Sequence, residues 1–188
     1  MAILKSMFSR WRGRLALLLA LGLAGAGLPG RAGELSESQV KAAFLYNFAR
    51  FTEWPAAKAG PFDICILGWD PFGAVLAPYE GRTVAGRQMR LRRRIGLDDA
   101  ASCDLLFVAH SEARRLVPIL RAVAGLPVLT VSDMDGFVDR GGMIELVSVD
   151  DRIRFDVNLD SVGATRLRFD ANMLQAARRV VRHAERGR

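Results

Sequence analysis

Hydrophobic and polar positions recur along the chain with two different periods. Val40, Phe44, Phe48, Phe51 and Trp54 return every three to four residues, the spacing of one helix face. Ser36-Glu-Ser-Gln39 places a hydroxyl three residues before a glutamine, a capping box that starts this helix, and Pro55 is its expected stop. The aromatic stripe is expected to face the core. Three short apolar runs follow, Phe62–Leu67, Leu105–Val108 and Val128–Ser132, with the length and composition of buried strands. Between the second and third, Ser111 is a candidate cap and Leu116, Ile119, Leu120 and Val123 hold helical spacing until Gly125. Strand, helix and strand at this spacing make a βαβ unit with a right-handed crossover.

The stretch Val128–Asp160 organises the rest. After its opening strand come a polar loop with Asp133, Asp135 and Gly136, and Gly141-Gly142, which reads as a hinge. Ile153 and Phe155 then alternate with Arg152, Arg154 and Asp156, a half-buried strand, and Asp150-Asp151 is the expected hairpin turn before it. Upstream, Gly81–Arg94 reads as a turn and a strand. Downstream, Asp160 or Ser161 is expected to cap a short helix, and Asp170 to cap a last helix over Met173, Leu174, Ala177, Val180 and Val181, with a basic tail that frays. The expected fold class is α/β. One domain over residues 33–185 holds a mixed, mostly parallel sheet of five to six strands, with helices on both faces and the hairpin as its antiparallel edge.

TVSD (Thr130–Asp133), GF, GGMI (Gly141–Ile144), LV and RIRF-x-VNL (Arg152–Leu159) together resemble the YfiR-like family of small bacterial periplasmic proteins. KAAFLYNFARFTEWP (Lys41–Pro55), CILGWDPFG (Cys65–Gly73) and CDLLFVAHSE (Cys103–Glu112) agree, so the resemblance runs from about Gln39 to Val180. It implies a regulatory binding protein that represses an inner-membrane diguanylate cyclase through the cyclase's periplasmic part, lowering cyclic di-GMP and biofilm formation. It implies no enzyme and no cofactor, and a homodimer is compatible with it.

Composition changes the picture in two places. The 188 residues carry a formal charge of +7, which suggests a nucleic-acid partner until the charge is located. Residues 1–32 hold Lys5, Arg10, Arg12, Arg14 and Arg31 and no acidic residue, leaving 22 basic against 20 acidic side chains afterwards. That segment has a basic start, an apolar run from Leu15 to Leu28 and small residues near its end, as a cleaved secretory signal does. The apolar run is short for a membrane span, which needs about 20 residues. Export to the periplasm in turn favours a disulfide between the two cysteines, Cys65 and Cys103, which fall on adjacent strands if the sheet is doubly wound. Two buried free thiols are the other reading.

The candidate chemistry is thin. Asp133 and Asp135 follow an apolar strand as Asp-x-Asp-Gly, like the nucleophile loop of a magnesium-dependent phosphatase, with Asp150-Asp151 as a candidate for its acidic pair. The two mature lysines, Lys41 and Lys58, both precede the motif, and Asp150-Asp151 reads as a turn, so this remains a remote alternative. Two histidines, His110 and His183, are too few for a zinc site, and there is no phosphate-binding glycine loop. Two surfaces stand out instead. Arg90, Arg92 and Arg94 are the alternating members of a strand with six arginines between Gly81 and Arg94, a solvated strand or a face for an anionic partner, together with the loop bearing Asp133 and Asp135. Trp69, Asp70 and Ser132 follow predicted strands, where α/β proteins place a ligand crevice, and so support a small-ligand sensor as the second reading. Asp70 also reads as the cap of a helix beginning at Pro71.

Overall fold

The structure, a computed structural model, describes residues 36–55 and 58–182. The expected leader, His183 and the end of the basic tail lie outside these residues. The helix α1 (Glu37–Arg50) begins as its capping box dictates: Ser36 accepts from the Gln39 amide at 3.3 Å, and the Gln39 side chain accepts from the Ser36 amide at 2.7 Å. It ends at Phe51, short of Pro55, and the next two residues form a strand, β1 (Thr52–Glu53), paired antiparallel with β9 (Arg168–Phe169). The buried face is accordingly rotated from the expected stripe. Ala42, Leu45, Phe48 and Ala49 are buried, whereas Phe44 is half-buried and Phe51 is 42% exposed.

The main sheet has eight strands rather than five or six, in the order β10-β8-β7-β6-β5-β2-β4-β3. They are β2 (Phe62–Leu67), β3 (Thr83–Val84), β4 (Arg87–Ile95), β5 (Leu105–Val108), β6 (Leu129–Ser132), β7 (Ile144–Val149), β8 (Arg152–Asn158) and β10 (Arg179–Val181). Within this sheet only β7–β8 and β3–β4 pair antiparallel among the described residues. The two strands beyond expectation are both edges. At one edge the last helix, α4 (Ala171–Ala176), stops early, and Val180 and Val181 join β10 beside β8 instead of continuing it. Asp170 does cap α4, accepting from the Asn172 amide. The β7–β8 hairpin therefore lies one strand inside the sheet.

Side chains of the central strands alternate between two cores, as a pleat requires. Ile64 and Ile66 of β2 and Leu105 and Phe107 of β5 meet α1, α3 (Leu159–Gly163) and α4; Cys65, Leu67, Leu106 and Val108 meet α2 (Leu116–Ala122) on the other face. The βαβ unit from β5 through α2 to parallel β6 stands as expected, although residues His110–Arg115 form a tight 3-10 turn before α2, and Ser111 caps nothing. Asn158, not Asp160 or Ser161, caps α3 by accepting from both their amides. The hairpin turn holds Asp150 and Asp151 at φ of 48° and 56°, the left-handed pair that a two-residue hairpin needs. Gly142 is no hinge. A Cβ there would stand 2.1 Å from the Phe137 ring, so glycine is required for close packing.

Candidate functional site

The strand ends at which β2, β5 and β6 stop form a crevice. It has a volume of about 340 Å³ and is lined by Trp69, Asp70, Pro71, Ala109, His110, Ser111 and Asp133. Gly68 turns the chain out of β2 at φ 90°, and a Cβ at that position would meet Ser111 Oγ at 2.5 Å. That hydroxyl accepts from the Trp69 amide at 2.9 Å. The backbone of Trp69 is thus fixed while its indole stays 84% exposed. Asp70 accepts from the Phe72 and Gly73 amides just ahead of the 3-10 helix Gly73–Tyr79, and its other oxygen pairs with Arg93. The helix starts at Gly73 rather than Pro71 and has Phe72, with no side-chain cap, at its N-cap position, so the cap expected at Asp70 is not formed.

Asp133 also lines the crevice, and a residue that sequence reasoning passed over holds it. Lys41 Nζ reaches Asp133 Oδ2 at 2.7 Å and Glu37 Oε1 at 2.6 Å. Burial pulls the Lys41 ammonium pKa down, but the hydrogen bonds to Asp133 and Glu37 more than offset this, so it is raised above the ordinary lysine value. Ser38 Oγ donates to the Pro71 carbonyl, so the first turns of α1 are fastened to both crevice loops. Ser132, expected beside these residues, is fully buried; its hydroxyl donates to the Val108 carbonyl and accepts from the Met134 amide. It tethers the crevice floor and does not line it. Asp135 is exposed on the same loop.

The arginine strand β4 is occupied internally. Arg90 grips buried Asp63 with two nitrogens at 2.7 and 2.8 Å, and Arg87 grips buried Asp104 in the same way at 2.8 and 2.9 Å. Arg92 pairs with Asp99 at 3.0 Å. Arg94 sits where the β2–β4 register shifts, at φ 52°, and has no ion-pair partner among the described residues. The three arginines therefore differ: Arg90 and Arg92 neutralise carboxylates, and Arg94 is the one that offers charge to solvent.

A third group lay hidden in the alternation of β7 and β8. Glu145 is buried and accepts from the Gly136 and Val138 amides, shaping the Asp133–Arg140 loop. Its cross-strand neighbour Asp156 is fully buried and takes both Arg178 and Arg179 at the start of β10, and Arg179 also binds Asp139 at 3.0 Å. The hydrogen bond to Asp156 is the main cause that raises the Arg178 pKa, and those to Asp139 and then Asp156 do the same for Arg179. An acidic residue at an inward position of an apolar strand was the available signal. Asp150 and Asp151 occupy the β7–β8 hairpin turn and do not line the crevice with Asp133, so the acidic pair of the phosphatase reading is not found there. On the opposite face of the β5 strand start, Cys65 and Cys103 form a disulfide, with Cα atoms 6.0 Å apart. A second cavity of about 490 Å³ opens beside Cys103, among Trp54, Lys58, Arg87, Asp104 and Arg166.

Among known proteins, a sequence profile described as YfiR/HmsC-like matches residues 38–178. The chain belongs to the YfiR/HmsC-like family. Two solved structures share its fold. One is an ABC domain in complex with L-Trp from Streptococcus pneumonia, at TM-score 0.51 and 10% identity over 74% of this chain and 60% of that one. The other is a conserved domain protein from Vibrio cholerae, at TM-score 0.54 and 9% identity over 79% and 62%. This YfiR/HmsC-like chain thus spans about three-fifths of the length of each. No described helix is long and apolar enough to cross a membrane.

Proposed function

We propose that this YfiR/HmsC-like protein represses an inner-membrane diguanylate cyclase by binding its periplasmic part, and that Trp69 is a main contact. The family match over residues 38–178 carries the reading. Trp69 supports the choice of surface. Large aromatic side chains presented by a rigid backbone dominate protein interfaces, and truncating one commonly costs 2 kcal/mol or more of binding, about thirtyfold in affinity. Asp135 and Arg94 are exposed residues at neighbouring strand ends and supply the polar rim of this proposed surface. A homodimer is compatible with this arrangement, because it need not use that end of the sheet.

The test is photo-crosslinking from membranes, with a benzoyl-phenylalanine placed at Trp69 and, separately, at Val149 at the end of β7. A cyclase adduct that forms at Trp69 and not at Val149 supports the reading. Adducts at neither position, from protein whose circular dichroism is native, count against it.

A second reading has one observation in its favour. Trp69, Asp70 and Asp133, which lie far apart in sequence, meet in a crevice large enough for a small organic ligand. A sensor of this kind would gain thermal stability with one member of a metabolite panel and lose that gain in Trp69→Ala.

A further inference from the structure

The cavity beside the disulfide lies at the other end of the sheet from the Trp69 crevice. β2, β4, β5 and β6 run parallel, so Arg87 at the start of β4, Asp104 just ahead of β5 and Val128 just ahead of β6 gather where these strands begin. The crevice gathers residues that follow β2, β5 and β6. Trp54 gives the cavity a fixed wall: its Nε1 donates to the Ala49 carbonyl at 2.8 Å, and its ring meets Phe62 edge-on at 4.8 Å. Leu126, Pro127 and Val128 add apolar surface, and Leu126 is 36% exposed. The volume of about 490 Å³ suits a small organic molecule.

The charges of this cavity do not balance. Lys58, Arg87 and Arg166 line it against one carboxylate, Asp104, which leaves two positive charges in excess. Arg87 takes both Asp104 oxygens, and the Asp63 amide donates to Oδ2 at 2.8 Å. Arg87 also donates to the Gly60 and Pro61 carbonyls, so this buried pair is satisfied from within. Lys58 Nζ donates to the Ser102 carbonyl and stands 3.9 Å from Asp104 Oδ1, an oxygen that Arg87 already holds. Arg166 is exposed and makes no ion pair among the described residues. Lys58 and Arg166 are therefore the cations left for an anion from outside.

We infer that this cavity binds a small organic anion, a carboxylate or phosphate head on an apolar body. The head is drawn to Lys58 and Arg166, and the body lies on Leu126, Pro127 and Val128. Positive charge in a cleft with apolar walls concentrates anions, because those walls do not screen the field as water does. A neutral apolar ligand would leave the excess charge unanswered, and an inorganic anion would leave the apolar wall wet. The site is independent of the cyclase reading and of the crevice at Trp69.

The test is a two-dimensional NMR titration of the folded protein with hexanoate and hexyl phosphate, and with hexanol, hexylammonium and acetate as controls. Hexanoate, hexyl phosphate or both should move the Trp54 indole N–H and the Leu126 and Val128 amides along a saturating curve, and the more tightly bound of the two identifies the head. The three controls should not saturate these signals. Arg166→Gln, on an exposed side chain without an ion pair, should weaken the anion about fivefold, as should Lys58→Gln. Saturation by hexanol, no saturation by either anion, shifts confined to Trp69 and its neighbours, or unchanged affinity in both variants overturns the inference. Cyclic di-GMP plays no part in these readings, so they stand or fall apart from repression.

Discussion

Removing the Cys65–Cys103 disulfide should destabilise the domain by an amount that the chain itself sets. The two cysteines are 38 residues apart in sequence. Opening a loop of that length restores about 13 cal/mol/K of entropy to the denatured chain, about 4 kcal/mol at 25 °C. In a domain of this size each kcal/mol moves Tm by about 2–4 °C, so the expected loss is about 8–16 °C. Cys65 is fully buried and Cys103 2% exposed, so a Cys65→Ala/Cys103→Ala variant adds a packing loss to the entropic one. Reduced wild-type protein keeps both sulfurs and isolates the crosslink. Urea unfolding with and without a phosphine reductant, followed by circular dichroism, should show a lower midpoint and a steeper transition, because the uncrosslinked denatured chain exposes more surface. A reduced protein within about 1 kcal/mol of the oxidised one would refute the reasoning, since that is well outside the chain-entropy value for this loop.

Four further outcomes are expected. Asp156→Ala removes the buried partner of the half-exposed Arg178 and Arg179 and should cost about 1.5–3 kcal/mol, with hydrogen exchange at Arg179–Val181 rising first because β10 loses its anchor. Gly142→Ala puts a methyl into the Phe137 ring and should cost about 1–3 kcal/mol or more in a urea melt. Asp150→Asn with Asp151→Gly suits the left-handed turn and should stabilise by about 1 kcal/mol; no gain would contradict the turn geometry. Lys41 has a raised folded pKa, so its stabilisation is complete below the unfolded value near about 10.4 and is lost as pH rises through the higher folded value. The stability gap between wild type and Lys41→Gln should therefore stay level through neutral pH and close only above about pH 10.

Much of the architecture was legible because local signals agreed with one another. The capping box at Ser36, the apolar runs of β2, β5 and β6, the βαβ spacing and the Asp150-Asp151 turn each specified an element that the fold contains. The C-terminal strand was not legible, because Met173, Leu174 and Ala177 share helical spacing with Val180 and Val181. What ends the helix is distant in sequence: Arg178 and Arg179 turn to a carboxylate buried in β8. The end of α1 was misplaced for a similar reason. Thr52 Oγ1 donates to the Phe48 carbonyl, and β1 pairs with β9, a contact that spans more than a hundred residues.

The candidate site divides along the same line. Trp69 and Asp70 stood out by their position after a strand and line the crevice, and Asp133 joins them there because β2, β5 and β6 end together. Ser132 was not separable from its neighbours by residue type. The pleat sends its hydroxyl inward to Val108, and only the sheet register decides that. Charge along β4 was visible, but its neutralisation was not. Asp63 and Asp104 belong to other segments and come within reach of Arg90 and Arg87 only through β2–β4 pairing and the turn into β5. Lys41 escaped notice because a lysine in the first turns of a helix normally faces solvent, and here a loop ninety-two residues later closes over it.

The central claim is repression of a periplasm-facing cyclase, and cyclic di-GMP itself is its most direct readout. Cells of a host that lacks this protein, and that carry the candidate inner-membrane cyclase, are compared with and without exported wild-type protein and with exported Trp69→Ala at equal abundance. Wild type should lower the nucleotide severalfold, and Trp69→Ala, whose side chain is 84% exposed and contributes little to folding, should restore most of it. Unchanged cyclic di-GMP with folded wild-type protein present in the periplasm would contradict the account.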